Sequence, residues 1–208
     1  MLDAALHIGD DVRMFRRDQL LVIYTADGNK ITYNGSTIGH GTFANLPRDF
    51  ADRIDGAYKI GPDVRLFRDN RLIVVDVEDS NRITYDGHIK DHGTYNRLPD
   101  EVAHDIDDVI QIGPDTRIFK GDRLVVINVR DDNAITYDGP ITGHGTFSHL
   151  PEDFSGGFDA VHTVGNDVRI FKGNRLVVIN YADGNKITFD DRAKNHGTYR
   201  NVPSGWLD

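Results

Sequence analysis

The chain has no cysteine among its 208 residues. Disulfide stapling, thiolate metal sites and cysteine nucleophiles are thereby excluded, and stability has to come from packing. Long apolar runs are also missing: hydrophobic residues make up 38% and charged residues 27% of the chain, and no stretch approaches the roughly 20 apolar residues of a spanning helix. A membrane partner is not expected. Positive charge is in deficit, with 24 lysines and arginines against 33 aspartates and glutamates and a formal net charge of −9. Such a balance disfavours binding to a phosphate backbone, so nucleic acid is not expected as a partner. The N-terminus has neither a basic segment nor a long apolar one. The expectation is a soluble protein, cytoplasmic as it stands, or secreted if a leader precedes this sequence.

What the chain does have is a strict 52-residue repeat. Asp3, Asp55, Asp107 and Asp159 recur at this interval, as do Gly9, Gly61, Gly113 and Gly165, and Phe15, Phe67, Phe119 and Phe171. Ile31, Ile83, Ile135 and Ile187 follow the same register, as do His40, His92, His144 and His196. A fixed period of this length marks a supersecondary unit that cannot bury its own face and must pack on its copies.

Each unit reads as four short strands. A small-residue segment, Asp3-Ala4-Ala5-Leu6, opens the first unit as its innermost strand. Val12 to Phe15 and Leu20 to Tyr24 are β-branched and aromatic and form a hairpin through turn pairs such as Asp69-Asn70 and Gly121-Asp122. A turn of the form Asp-x-Asn, as in Asp27-Gly28-Asn29, leads into an outer strand at Ile31-Thr32-Tyr33. His40-Gly41-Thr42-Phe43 and Leu46-Pro47 then carry the chain to the next unit, with room for a helical turn after the proline. The near-continuous apolar runs suit strands covered on both faces. The terminal units are as apolar as the middle ones, which suits a closed ring over a capped solenoid. The fold class is therefore all-β: a single domain over 1–208, a four-bladed β-propeller with four antiparallel strands per blade. The blades fall at approximately 3–54, 55–106, 107–158 and 159–208, and no strand is exchanged between first and last.

The unit openings Asp3-Ala4-Ala5, Ile54-Asp55-Gly56-Ala57, Ile106-Asp107-Asp108-Val109 and Phe158-Asp159-Ala160-Val161 carry a further signal. So do the hairpins Phe119-Lys120-Gly121-Asp122-Arg123 and Phe171-Lys172-Gly173-Asn174-Arg175, and the blade ends Leu98-Pro99 and Leu150-Pro151. Together these resemble the hemopexin-like repeat family across all four units. The chain departs from that pattern in lacking its third-strand Trp or Tyr and its cysteine pair, and in carrying the His-Gly-Thr-Phe/Tyr element. The resemblance implies a central tunnel holding a calcium or sodium ion on the main-chain carbonyls of Asp3, Asp55, Asp107 and Asp159. A second layer at Ala5, Ala57, Val109 and Val161 would leave backbone groups accessible along the axis, and four carbonyls with waters suit a hard cation.

Three further sets bear on function. The rim histidines His40, His92, His144 and His196, each beside a threonine and an aromatic (Thr42 and Phe43 in the first unit), either cap local turns or form four shallow sites of a multivalent lectin. Arg13, Arg65, Arg117 and Arg169 face Asp11, Asp63, Asp115 and Asp167 two residues earlier, which predicts structural ion pairs. A unique site has to lie where the repeats disagree, and along the inner strands they disagree at His7, Tyr58, Lys59, Asp108, Gln111 and His162. The favoured reading is a ligand-binding propeller that captures a small molecule or glycan at the tunnel mouth or blade rim, with a cation in the tunnel. The alternatives are an enzyme of specialised metabolism, with His7 or His162 as base tuned by Asp108 or Lys59, and a protein-interaction module. Haem would be held through His7 or His162.

Overall fold

The computed structural model describes residues 1–207. The first blade comprises β1 (Ala4–Ile8), β2 (Asp11–Arg16), β3 (Gln19–Tyr24) and β4 (Lys30–Ser36). The second comprises β5 (Gly56–Ile60), β6 (Asp63–Arg68), β7 (Arg71–Asp76) and β8 (Arg82–His88). β9 (Asp108–Ile112), β10 (Asp115–Lys120), β11 (Arg123–Asn128) and β12 (Ala134–Pro140) form the third. β13 (Ala160–Val164), β14 (Asp167–Lys172), β15 (Arg175–Asn180) and β16 (Lys186–Arg192) form the fourth. Each sheet consists of four consecutive antiparallel strands, and none borrows a strand from another blade. The expected architecture is the observed one: an all-β propeller of four blades.

The burial of each strand follows its sequence. β2 and β3 are buried at four consecutive positions because blades cover both of their faces, which is why Leu20 to Ile23 read as a continuous apolar run. β4 alternates exposed and half-buried residues because only one face meets protein. Between β3 and β4 the register slips by one residue in every blade, at Val22/Ile23 and its equivalents. Such a bulge increases local twist and bends the outer strand. The first hairpin turns at Gly9 and its three copies, all with φ near +60°, a conformation that glycine adopts without steric cost.

The core is divided into four wedges, each lying between adjacent blades. Leu6, Phe15, Leu20 and Phe43 of the first blade pack with Val64, Leu66, Ile73 and Val75 of the second. The closing seam is built the same way: Val12, Met14, Leu21 and Ile23 meet Phe171, Tyr199 and Trp206. At the rim Asn29 Nδ2 donates to Gly197 O at 3.2 Å across this seam, and Asn45 Nδ2 donates to Asn81 O at 3.2 Å between the first two blades. Ring closure without a disulfide or strand exchange therefore rests on an apolar wedge equivalent to the other three. The helical turn expected after the blade-end proline forms at α1 (Arg48–Ala51) and as a 3-10 turn at Glu152–Phe154, in the first and third blades. Among the described residues no helix is long and apolar enough to cross a membrane.

Candidate functional site

The four inner strands surround a tunnel whose two ends differ. At the end where these strands begin, Asp3, Asp55, Asp107 and Asp159 border one open cavity of about 510 Å³, together with Arg53 and Lys172. At the other end His7, Tyr58, Lys59, Gln111 and His162 border a cavity of about 40 Å³. The two cavities share no lining residue.

At the wide mouth each aspartate side chain turns to the second hairpin of its own blade. Asp55 accepts from Asp69 N at 3.0 Å, Asp107 from Gly121 N at 2.5 Å and Asp159 from Gly173 N at 2.6 Å, while Asp3 accepts from Arg17 N. The donor in each case is the first turn residue, which has positive φ. The repeated aspartate thus fixes a left-handed turn, and its own N–H donates to the carbonyl of Phe15, Phe67, Phe119 or Phe171 at 2.8–2.9 Å. Burial raises the carboxyls of Asp3 and Asp107 above the ordinary range, against the turn N–H bonds that lower them. Arg53 is held by Asp55 at 2.5 Å and Asp69 at 2.6 Å, and Lys172 Nζ donates to Asp153 O at 2.5 Å and Gly157 O at 2.7 Å. Among the described residues no group of three or more carboxylate or imidazole side chains is placed to hold a metal ion. A cation here would need main-chain oxygen, and the four residues expected to supply it do border a single cavity.

The narrow end brings together five of the six residues at which the repeats disagree. Lys59 Nζ is turned back on Gly61 O, and Gln111 donates to Gly113 O at 2.8 Å and accepts from Thr116 at 2.5 Å. His162 is buried, stacks on Phe171 at 6.0 Å, and its Nε2 lies 2.7 Å from Tyr199 Oη. Burial, then the guanidinium of Arg169, pushes the His162 imidazole well below its ordinary pKa, and burial also lowers that of His7. Both are thus neutral at pH 7. A space of this size takes about one water molecule, which leaves no room for haem or another organic ligand.

Asp108 parts from that set. It is fully buried inside the tunnel, where Oδ1 accepts from Ala57 N at 3.1 Å and Val109 N at 2.8 Å, and Oδ2 accepts from Val161 N at 2.6 Å. Three of the four positions expected as a second layer thus present N–H groups to the axis, and a carboxylate occupies them. Burial pushes the Asp108 carboxyl well above the ordinary range, against these three bonds, which pull it down.

The rim histidines stand one per blade. Each Nδ1 accepts from the threonine N two residues on, at 3.2–3.3 Å, and each ring meets Tyr33, Tyr85, Tyr137 or Phe189 edge-on at 4.9–5.1 Å. They are half-buried turn caps, neutral because burial lowers their pKa, to about 4 for His92. Phe43, Tyr95, Phe147 and Tyr199 beside them are core residues. The Arg/Asp repeat gives contacts of 3.4, 3.9 and 3.7 Å in the first three blades. In the fourth, Arg169 Nη1 instead donates to Thr198 Oγ1 and Tyr199 Oη, each at 3.2 Å.

Sequence reasoning missed Arg53 and Asp105 at the wide mouth. They occupy one repeat position with Met1 and Gly157, so this position is as asymmetric as any at the narrow end, but it lies just before the unit as drawn from the aspartate.

No protein-family model matches the sequence, and no curated protein is similar to it in sequence. Solved structures do resemble it. The hemopexin fold protein CP4 from cow pea is 18% identical, with 97% of each chain covered and a TM-score of 0.80. A plant albumin from Cicer arietinum showing hemagglutination is 18% identical, with 98% of this chain and 99% of that one covered and a TM-score of 0.78. A plant lectin with two metal binding sites, also from Cicer arietinum, is 19% identical over 98% and 99%, with a TM-score of 0.76. Likeness at these identities establishes architecture: the chain is a four-bladed β-propeller of the hemopexin fold.

Proposed function

We propose that this protein is a ligand-binding propeller that takes a hard cation and a small polar ligand, such as a glycan, at the wide mouth. The carrying observation is the cavity of about 510 Å³ on which all four repeated aspartates converge. Its volume falls within the range of small-molecule sites, whereas the narrow end is an order of magnitude smaller. The fit of a cation is chemical. The carboxylates already accept from turn N–H groups, so a cation here would take main-chain oxygens, which with water would supply the six to eight ligands of calcium. The acidic surroundings favour positive charge. Two similar structures, an albumin showing hemagglutination and a lectin with two metal binding sites, accord with a polar ligand and a cation in this architecture.

The test is calorimetric titration of chelator-treated protein with calcium and with sodium, followed by a glycan panel on the cation-loaded form and a hemagglutination assay. Saturable calcium binding at one site per chain is expected, with a lower melting temperature in chelator, because a ligand of the closed ring alone stabilises it. No binding heat and an unchanged melting temperature would remove the cation, and no response to any glycan would remove that ligand class.

A further inference from the structure

One buried charge is not explained by the mouth or the rim. Asp108 is wholly excluded from solvent, and the partners of its carboxyl are main-chain N–H groups, with no cation among them. Its carboxyl makes three hydrogen bonds, and in all three it is the acceptor. The donors are main-chain N–H groups of β5, β9 and β13, so three of the four blades contribute. A carboxylic acid in this position would carry a hydroxyl needing an acceptor, and none of these three partners is one. The bonds instead suit a carboxylate held by converging backbone dipoles, as in other concavities formed by successive N–H groups.

The other blades carry small residues at the same repeat position: Ala4, Gly56 and Ala160. Gly56 leaves room for Asp108. A Cβ there would lie 3.0 Å from Asp108 Cα and 3.3 Å from its Oδ1, tight contacts that would push Asp108 by a few tenths of an ångström. The carboxylate and the space that admits it are matched features of different blades.

We propose that the tunnel of this propeller is a binding site for a small monoanion which the chain fills with its own side chain, Asp108 acting as a tethered ligand that ties β5, β9 and β13 together. The consequence is a ring that closes without recruiting a free anion, and a tunnel blocked between its two cavities. This stands apart from what the wide mouth binds.

The test is chemical rescue, read as melting temperature in a weakly interacting buffer at neutral pH with titrated sodium salts. Asp108→Ala and Asp108→Gly each lose the carboxylate and leave three N–H groups unpaired. A fall of about 10 °C is expected, the scale for losing a buried charged acceptor in a domain of this size. Formate should restore Asp108→Ala saturably. Acetate, which supplies the missing methylene carbon as well, should restore Asp108→Gly better than formate does. The same salts should leave the native protein unchanged. Variants as stable as the native chain, or variants responding to these salts no more than it does, would overturn the proposal. If neither variant folds, the Asp108 carboxyl carbon is read by NMR in the native protein at pH 7. A carboxylate shift is expected there, and a carboxylic-acid shift would overturn the proposal.

Discussion

The two ends of the tunnel are built from the same four strands and reach opposite outcomes. At the wide end the residues repeat, with an aspartate in every blade, and their side chains are tied to hairpins, leaving a cavity of about 510 Å³. At the narrow end the residues differ from blade to blade, and Lys59, Gln111 and His162 Nε2 turn to Gly61, Gly113, Thr116 and Tyr199 around a space for about one water, while the buried His162 Nδ1 has no partner among the described residues. Sequence diversity at the narrow end thus reflects packing: Tyr58 and His162 reach Tyr95 and Tyr199, whereas Leu6 and Ile110 belong to the wedges that hold Phe43 and Phe147. The propeller alternates, its first and third blades apolar at this contact and its second and fourth polar.

The comparison can be broken at several points. The largest effect is expected at the narrow end, from His162→Leu, which strips a buried partner from Tyr199 and should cost about 2 kcal/mol in chemical denaturation. Cation binding at the wide mouth should be unchanged, and its loss would show that the two ends are coupled. In the second blade Tyr95→Phe should cost about 1 to 2 kcal/mol, because Tyr58 loses a hydrogen-bond partner and Arg65 an acceptor. Adding Tyr58→Leu, which recreates the pairing of the first blade, should cost less than the sum of the two single changes. Additive costs would refute the alternation as a packing rule.

At the wide mouth Asp55→Ala removes the turn bond and the Arg53 pair, and should lower stability by about 1 kcal/mol. Calcium affinity should remain within a few-fold if main-chain oxygen is the ligand, whereas abolished binding would assign the carboxylates instead. The rim caps add a pH effect. Their folded pKa values lie below the unfolded value of 6.5, so the unfolded chain binds more protons and stability declines as pH falls from 6.5 towards about 4, the value for His92. His92→Asn retains an acceptor for Thr94 N and should flatten this slope, and an unchanged slope would remove His92 from it. Lys59→Ala should change stability by less than about 0.5 kcal/mol and leave ligand binding alone.

The architecture was legible because its packing repeats: a 52-residue interval with near-continuous apolar strands and glycines at each first turn leaves little but a ring of blades. The mouth aspartates were legible as a set through the same repetition. Asp108 was visible only as one of several unmatched residues, since its role depends on Gly56 in another blade and on N–H groups that every sequence possesses. The alternation between blades was written in Phe43, Tyr95, Phe147 and Tyr199, but its meaning required the hydroxyl contacts to Tyr58 and His162. The wide cavity could not be anticipated from residue types, because its size follows from side chains turned aside into hairpins.

The central claim is that binding occurs at the wide, repeated mouth and not at the narrow, varied one. Anomalous scattering from crystals soaked in calcium tests it most directly. The account predicts a single peak on the propeller axis, level with Asp3, Asp55, Asp107 and Asp159. Peaks at the four rim histidines or beside His7 and His162, with none on the axis at that level, would contradict it.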